Sequence, residues 1–86
     1  MTLSTAQYSI GTTVTEIVKP QANPQMVYIH NNENAQQVYI GGSNVTTSNG
    51  VHVDGKEDHS FVLNPGESLY CVSSNTSSIS VMTQVL

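Results

Sequence analysis

Apolar and polar residues alternate along this chain with a period of two, and no segment settles into a helical period of 3.6. Residues 12–19 set Thr12, Val14, Glu16 and Val18 against Thr13, Thr15 and Ile17, and β-branched side chains of this kind suit a pleated, half-buried surface. Pro20 ends that strand, and residues 21–24 form a loop because two nearby prolines offer no ladder donors. Residues 26–30 place Val27 and Ile29 on one face and Met26, Tyr28 and His30 on the other. A polar connection over residues 31–36 leads to a strand over residues 37–40. The recurrence of Val-Tyr-Ile at 27–29 and 38–40 predicts that these two strands pair as a hairpin. Gly41-Gly42 lets the chain bend sharply. Residues 45–48 and 51–54 then flank Asn49-Gly50, the residues that accept positive φ most readily, and so predict a two-residue type I′ hairpin. After a charged loop at 55–58, residues 59–63 form a strand. Asn64-Pro65-Gly66-Glu67 has proline and glycine where a type II turn needs them, and residues 68–72 run back from it. A Ser/Asn/Thr turn over 73–78 precedes a last strand, 80–86.

Short strands at this even spacing, with turn chemistry between them, predict an all-β fold: a compact antiparallel β-sandwich, jelly-roll-like or Ig-like, of 7–8 short strands. Residues 1–12, with Tyr8 and Ile10 spaced two apart, are expected to be an N-terminal arm or edge strand, and residues 13–86 a single sandwich domain. The inward set expected from the alternation is Val14, Val27, Ile29, Val38, Ile40, Val51, Val53, Phe61, Leu63, Leu69, Cys71, Ile79, Val81 and Val85.

Composition narrows the function. A chain of 86 residues supports one domain with a modest core, and such domains are often helped by partner subunits. Charged residues make up only 9% of the chain, arginine is absent, and Lys19 and Lys56 are the only basic residues against a formal net charge of -4. Nucleic-acid backbones and anionic membranes both require basic clusters, so neither is expected as a partner. The apolar runs are far too short for a membrane span, and the N-terminus lacks a basic stretch followed by an apolar one. Cys71, the single cysteine, forms no disulfide within the chain and is expected as a small buried side chain. The glycosylation tripeptides at Asn44 and Asn75 are read as chance matches in a chain rich in Asn, Ser and Thr.

No catalytic pattern emerges, and the chain is expected not to be an enzyme. The dense polar cluster from His52 to His59 matches neither a calcium loop nor a zinc spacing and is read as a solvated loop, with no metal and no cofactor. Gly41-Gly42-Ser43-Asn44 lacks the second glycine of a nucleophile elbow, and no phosphate-cradling loop leads into a helix. Glu16 is expected in a strand and the remaining carboxylates in loops, which gives no buried acid–base pair. His30, at a strand end, is read as a surface or satisfied strand residue rather than a pH-sensitive interface residue. Tyrosines carry two readings: Tyr28 and Tyr39 touching across paired strands, or an exposed tyrosine face that contacts a protein or a sugar.

Three stretches carry a resemblance: V-Y-I-G-G-S-N-V-T-T-S-N-G from Val38, L-N-P-G-E-S-L-Y-C-V from Leu63 and I-S-V-M from Ile79. Over residues 26–86 the chain resembles small β-sandwich virion structural proteins of tailed bacteriophages. The resemblance implies a capsid decoration (cementing) protein that binds the outer surface of the head, with the major capsid protein and its own copies as partners. A homotrimer located in the virion and synthesised in the host cytoplasm is the implied form. A tail, collar or baseplate component and a glycan-binding virion sandwich are the alternatives. Tyr8, Ile10, Tyr28, Tyr39 and Tyr70 are the candidate interface residues, and residues 1–12 the candidate arm.

Overall fold

The alternation resolves into eight strands and, among the described residues, no helix. A computed structural model describes residues 3–86. Its strands are β1 (Leu3–Ile10), β2 (Thr15–Val18), β3 (Gln25–Asn31), β4 (Val38–Gly41), β5 (Val51–Val53), β6 (Asp58–Leu63), β7 (Leu69–Ser73) and β8 (Ser77–Val85). They form two four-stranded antiparallel sheets, ordered β1-β8-β3-β6 and β2-β7-β4-β5. We call these the first and second sheet. Only β4 and β5 are both consecutive in sequence and neighbours in a sheet. Every other connection crosses between the layers. That strand order is a jelly roll, which selects one of the two sandwich types compatible with the sequence.

Crossing connections overturn the expected β3–β4 hairpin. Val27 and Ile29 of β3 and Val38 and Ile40 of β4 are all buried, but they lie on opposite sheets. The two Val-Tyr-Ile motifs thus supply facing halves of one core, and an apolar stripe on each sheet is buried most fully when the sheets are stacked. For the same reason Tyr28 and Tyr39 make no cross-strand contact: they project from opposite outer faces. The turn at Asn64-Pro65-Gly66-Glu67 has the expected geometry, with Gly66 at φ 81° and the Glu67 amide donating to the Asn64 carbonyl at 3.1 Å. It carries the chain from one sheet to the other rather than closing a hairpin.

The Asn49-Gly50 hairpin does not form. Neither residue has a positive φ, and residues 45–48 are not a strand. The segment 42–50 is instead one loop joining β4 to β5, held by Gly50 N–H to Thr46 C=O at 3.0 Å and Thr46 N–H to Asn49 Oδ1 at 2.7 Å. Burial of Val45, which the loop makes possible, outweighs the local turn preference.

The core comprises Ile10, Ile17, Val18, Val27, Ile29, Val38, Ile40, Val53, Leu63, Leu69, Cys71, Ile79 and Val81. Three expected members differ. Val14 and Val51 are exposed, at 37% and 61%, and Val85 is only half-buried. Phe61 is also half-buried but packs against the core. In β2 the register shifts between Glu16 and Val18, and this bulge turns Ile17 and Val18 both inward, which strict alternation forbids. β1, Leu3–Ile10, lies at the edge of the first sheet, pairs along its length with β8 and buries Ile10 completely. Met1 and Thr2 lie outside the described residues.

Candidate docking face

Each sheet has an outer face, and the two are treated differently. On the second sheet the 42–50 loop folds back over the strands. Val45 is buried at 3% exposure, and its Cγ2 sits 3.1 Å from where a Cβ on Gly41 would lie and 2.8 Å from where one on Gly50 would lie. Gly41 and Gly50 are glycines here because of this close approach, not because of their backbone angles. Val72, which by alternation points outward beside Tyr39, is buried as well and lines a depression together with Val45.

The outer face of the first sheet is left open over most of its area; among the described residues the 32–37 loop reaches only its end, where the Asn32 amide donates to Ser78 Oγ at 3.2 Å and Ser80 Oγ at 3.0 Å. The sheet's register is unbroken, so its outward side chains form straight rows across the strands. One row reads Thr5, Met82, Tyr28, Ser60; the next reads Leu3, Gln84, Met26, Val62; a third reads Gln7, Ser80, His30, Asp58. Leu3, Met26, Val62 and Met82 are thus four of the seven large hydrophobic side chains exposed among the described residues, gathered on one face. A shallow depression of about 450 Å³ between β1, β8 and β3 is lined by Thr5, Gln7, Tyr28 and Met82 among others. Tyr28 donates its hydroxyl to Asp58 Oδ2 at 3.1 Å, and that bond to a carboxylate holds the phenol above its ordinary pKa. The ring is thereby fixed in orientation over the sheet.

The sequence-selected interface residues divide accordingly. Ile10 is fully buried and Tyr8 is half-buried against the core, because β1 is a strand of the sandwich and both lie on its inner side. Ile10 is therefore no surface contact. Tyr28 belongs to the bare face. Tyr39 and Tyr70 stand half-buried on the outer side of the second sheet, on neighbouring strands. Sequence reasoning missed Leu3, Met26, Val62 and Met82. Their signal was present as the outward half of each alternation, but it becomes a patch only once β1, β8, β3 and β6 lie side by side.

One end of the sandwich is closed by polar groups. Asn31 is fully buried; its amide donates to Gln36 C=O at 2.7 Å and Val53 C=O at 2.9 Å, and its Oδ1 accepts Glu33 N–H at 3.0 Å. Ser73 and Ser77 hydroxyls lie 3.1 Å apart beside it, and Ser77 donates to Gln36 Oε1 at 2.8 Å. The Asp54 carboxylate accepts from Gln37, which holds its pKa below the usual range, with His52 at 3.1 Å adding to the effect. These groups satisfy one another, and they tie down the 32–37 and 54–57 loops. Among the described residues no cluster of His, Cys, Asp or Glu has the arrangement of a metal site. Cys71 is fully buried, and desolvation pushes its thiol up to about 12.

The molecule is therefore a small jelly-roll sandwich whose second sheet is partly covered on its outer face by the 42–50 loop and whose first sheet is largely bare. No family model and no curated protein matches the sequence. Among solved structures, the fold is similar to a chain from Bacillus endospore appendages, described as a novel family of disulfide-linked pili. The likeness has a TM-score of 0.68 at 12% identity and covers 99% of this chain and 86% of that one. At that identity the likeness is one of fold.

Proposed function

We propose that this chain is a capsid decoration protein of a tailed bacteriophage, a structural subunit that lays the outer face of its first sheet on the major capsid lattice and binds in many copies. The observation that carries the reading is the set of exposed apolar side chains on the bare face: Met26 and Val62 side by side, Leu3 across Gln84 in the same row, and Met82 in the next. A contiguous exposed apolar patch on a small protein marks a docking surface for another protein. Sparse charge supports the same reading, because desolvating this face removes few ions from water. The resemblance of residues 26–86 to virion sandwiches supplies the particle. Weak single contacts gain avidity when copies sit on a repeating lattice.

The test is a cryo-electron-microscopy map of the intact particle together with cosedimentation on bare capsids. The expected outcome is hundreds of copies on the head, and a Met26→Asp/Met82→Asp variant that melts like the parent but binds roughly tenfold or more weakly. Copies confined to the tail, or undiminished binding by the variant, overturn it.

A second reading has its own observation. The fold is shared with a subunit of an extended pilus-like appendage, which favours a repeating component of a tail, collar or other filament. The disulfide linkage named for that neighbour does not transfer through Cys71, whose buried thiol is out of reach of a second chain in the folded state.

A further inference from the structure

We infer that copies of this chain join head to tail through the two free edges of the first sheet, β6 of one copy pairing with β1 of the next.

The molecule has four strand edges, and they are not alike. In the second sheet both edges are blunted by the devices that prevent strand addition. β2 has four residues, carries a bulge and runs into Lys19-Pro20; β5 has three residues and runs into the charged loop 54–57. The edges of the first sheet are longer and carry no bulge, and on β6 the charge and the proline lie only at its ends, Asp58 at the start and Pro65 beyond Leu63. β1 has eight residues, Leu-Ser-Thr-Ala-Gln-Tyr-Ser-Ile, with no charge, no proline and no register shift against β8. β6 has six residues, with one charge at its first position. An edge of this length and neutrality exposes a row of backbone donors and acceptors that another strand can satisfy.

The two edges also match each other. All pairings within the sheet are antiparallel, so β1 and β6 run in opposite directions. A copy placed alongside in the same orientation sets its β1 antiparallel to the first copy's β6, which continues the ladder without a change of type. Extending the rows across the junction puts Val62 beside Leu3, Ser60 beside Thr5 and Asp58 beside Gln7. The apolar row continues from copy to copy, and the one charged residue of β6 meets a side-chain amide that can donate to it. The second copy thus fits in strand direction, in polarity and in charge. A β1–β1 pairing offers the apolar continuity at no such match, because Leu3 then lies opposite the polar end of its own strand.

A six-residue ladder buries well below the roughly 1,200 Å² of a standard stable complex, so one junction is weak in solution and is read at high concentration. A head-to-tail contact repeats until it closes as a ring or runs on as a string, and a homotrimer is its three-membered ring. The inference stands apart from the particle reading, since it concerns copies of this chain alone and is tested with no capsid present.

Sedimentation of the full chain across a concentration series tests it, with two variants at positions the junction sets face to face. Residues opposite each other across an antiparallel pair have Cβ atoms about 4.5–5.5 Å apart, close enough for charge to decide the pairing. The weight-average mass of the parent is expected to reach roughly three times the monomer or more at about 1 mM protein. Thr5→Lys/Ser60→Lys is expected to stay monomeric there, and Thr5→Lys/Ser60→Glu to assemble again in a salt-sensitive way. Both positions face solvent, and circular dichroism of each variant checks the fold; Gln7→Lys/Asp58→Lys is the second like-charge pair, one row along. A parent that stays monomeric or stops at a dimer overturns the inference. So does a like-charge variant that assembles like the parent, or a charge pair that fails to restore assembly.

Discussion

Cys71 shows how position in the fold sets the chemistry of a single side chain. In the unfolded chain its thiol titrates near 9.0, and in the folded chain near 12, because the anion would be stranded among apolar neighbours. The folded state therefore holds the proton more tightly, and above the unfolded pKa the unfolded state binds fewer protons than the folded one. Stability from this group is complete below about pH 9 and is lost as pH rises toward 12. Urea melts at steps from about pH 8 to about pH 11 should show the parent losing stability more steeply than Cys71→Ala. The thiol should also react with a disulfide reagent at neutral pH only at the rate of unfolding. Burial of Cys71 was legible from the sequence, since it sits in phase with Leu69 on a strand. Asn31 was not legible in the same way. Nothing in the run Asn31-Asn32-Glu33-Asn34 distinguishes the asparagine that is fully buried and ties two loops together from those that are not.

At the scale of elements, the 42–50 loop marks where local preference lost to packing. Asn49-Gly50 has the composition of a tight hairpin, yet the loop clamps Val45 over the second sheet instead. Gly50→Ala tests this directly. A Cβ there would lie 2.8 Å from both Tyr39 Cβ and Val45 Cγ2 and 3.0 Å from the Thr46 carbonyl oxygen. The expected cost in a denaturant melt is about 1–3 kcal/mol of overpacking. Gly42→Ala, whose nearest neighbour would be Asn44 Oδ1 at 3.5 Å, should fall within about 0.5 kcal/mol of the parent. If Asn49-Gly50 were instead a type I′ turn, Gly50→Ala would be costly through φ and its cost would add to that of Val45→Ala; with the clamp the two changes couple, so the double variant should cost less than the sum of the single ones by about 0.5 kcal/mol or more, while Tyr39 and Thr46 keep the rest of the crowding. The bulge in β2 is the other element that composition did not reveal. Thr15-Glu16-Ile17-Val18 alternates acceptably in either phase, and only the pairing with β7 admits Ile17 and Val18 to the core together.

For the whole molecule, the first strand lies beside the last one, so the chain's two ends complete one sheet. Removing residues 1–10 would strip Ile10 and Tyr8 from the core and turn β8 into an edge. Loss of a fully buried isoleucine alone costs about 2–5 kcal/mol, a large share of the roughly 5–15 kcal/mol that holds a domain together. The truncated chain is expected to lose its cooperative thermal transition, seen by circular dichroism, rather than to survive as a sandwich missing an arm. A truncation that melts like the parent would show that β1 contributes nothing to the fold. For this reason the docking proposal is tested with outward substitutions on the bare face and not by deleting the N-terminal segment.

The linear order of residues was enough to settle that the protein is all strand, where most strands begin and stop, which turn Pro65-Gly66 makes, and that Val27, Ile29, Val38, Ile40, Leu69, Cys71, Ile79 and Val81 face inward, because each of these follows from neighbours a few positions away. Which strands lie side by side was decided only by the folded molecule. Alternation states that a strand has an apolar face but not what that face meets, and stacking the two sheets buries more of it than pairing consecutive strands does. The bare face of Leu3, Met26, Val62 and Met82, and the open edges of β1 and β6, exist only as products of that stacking.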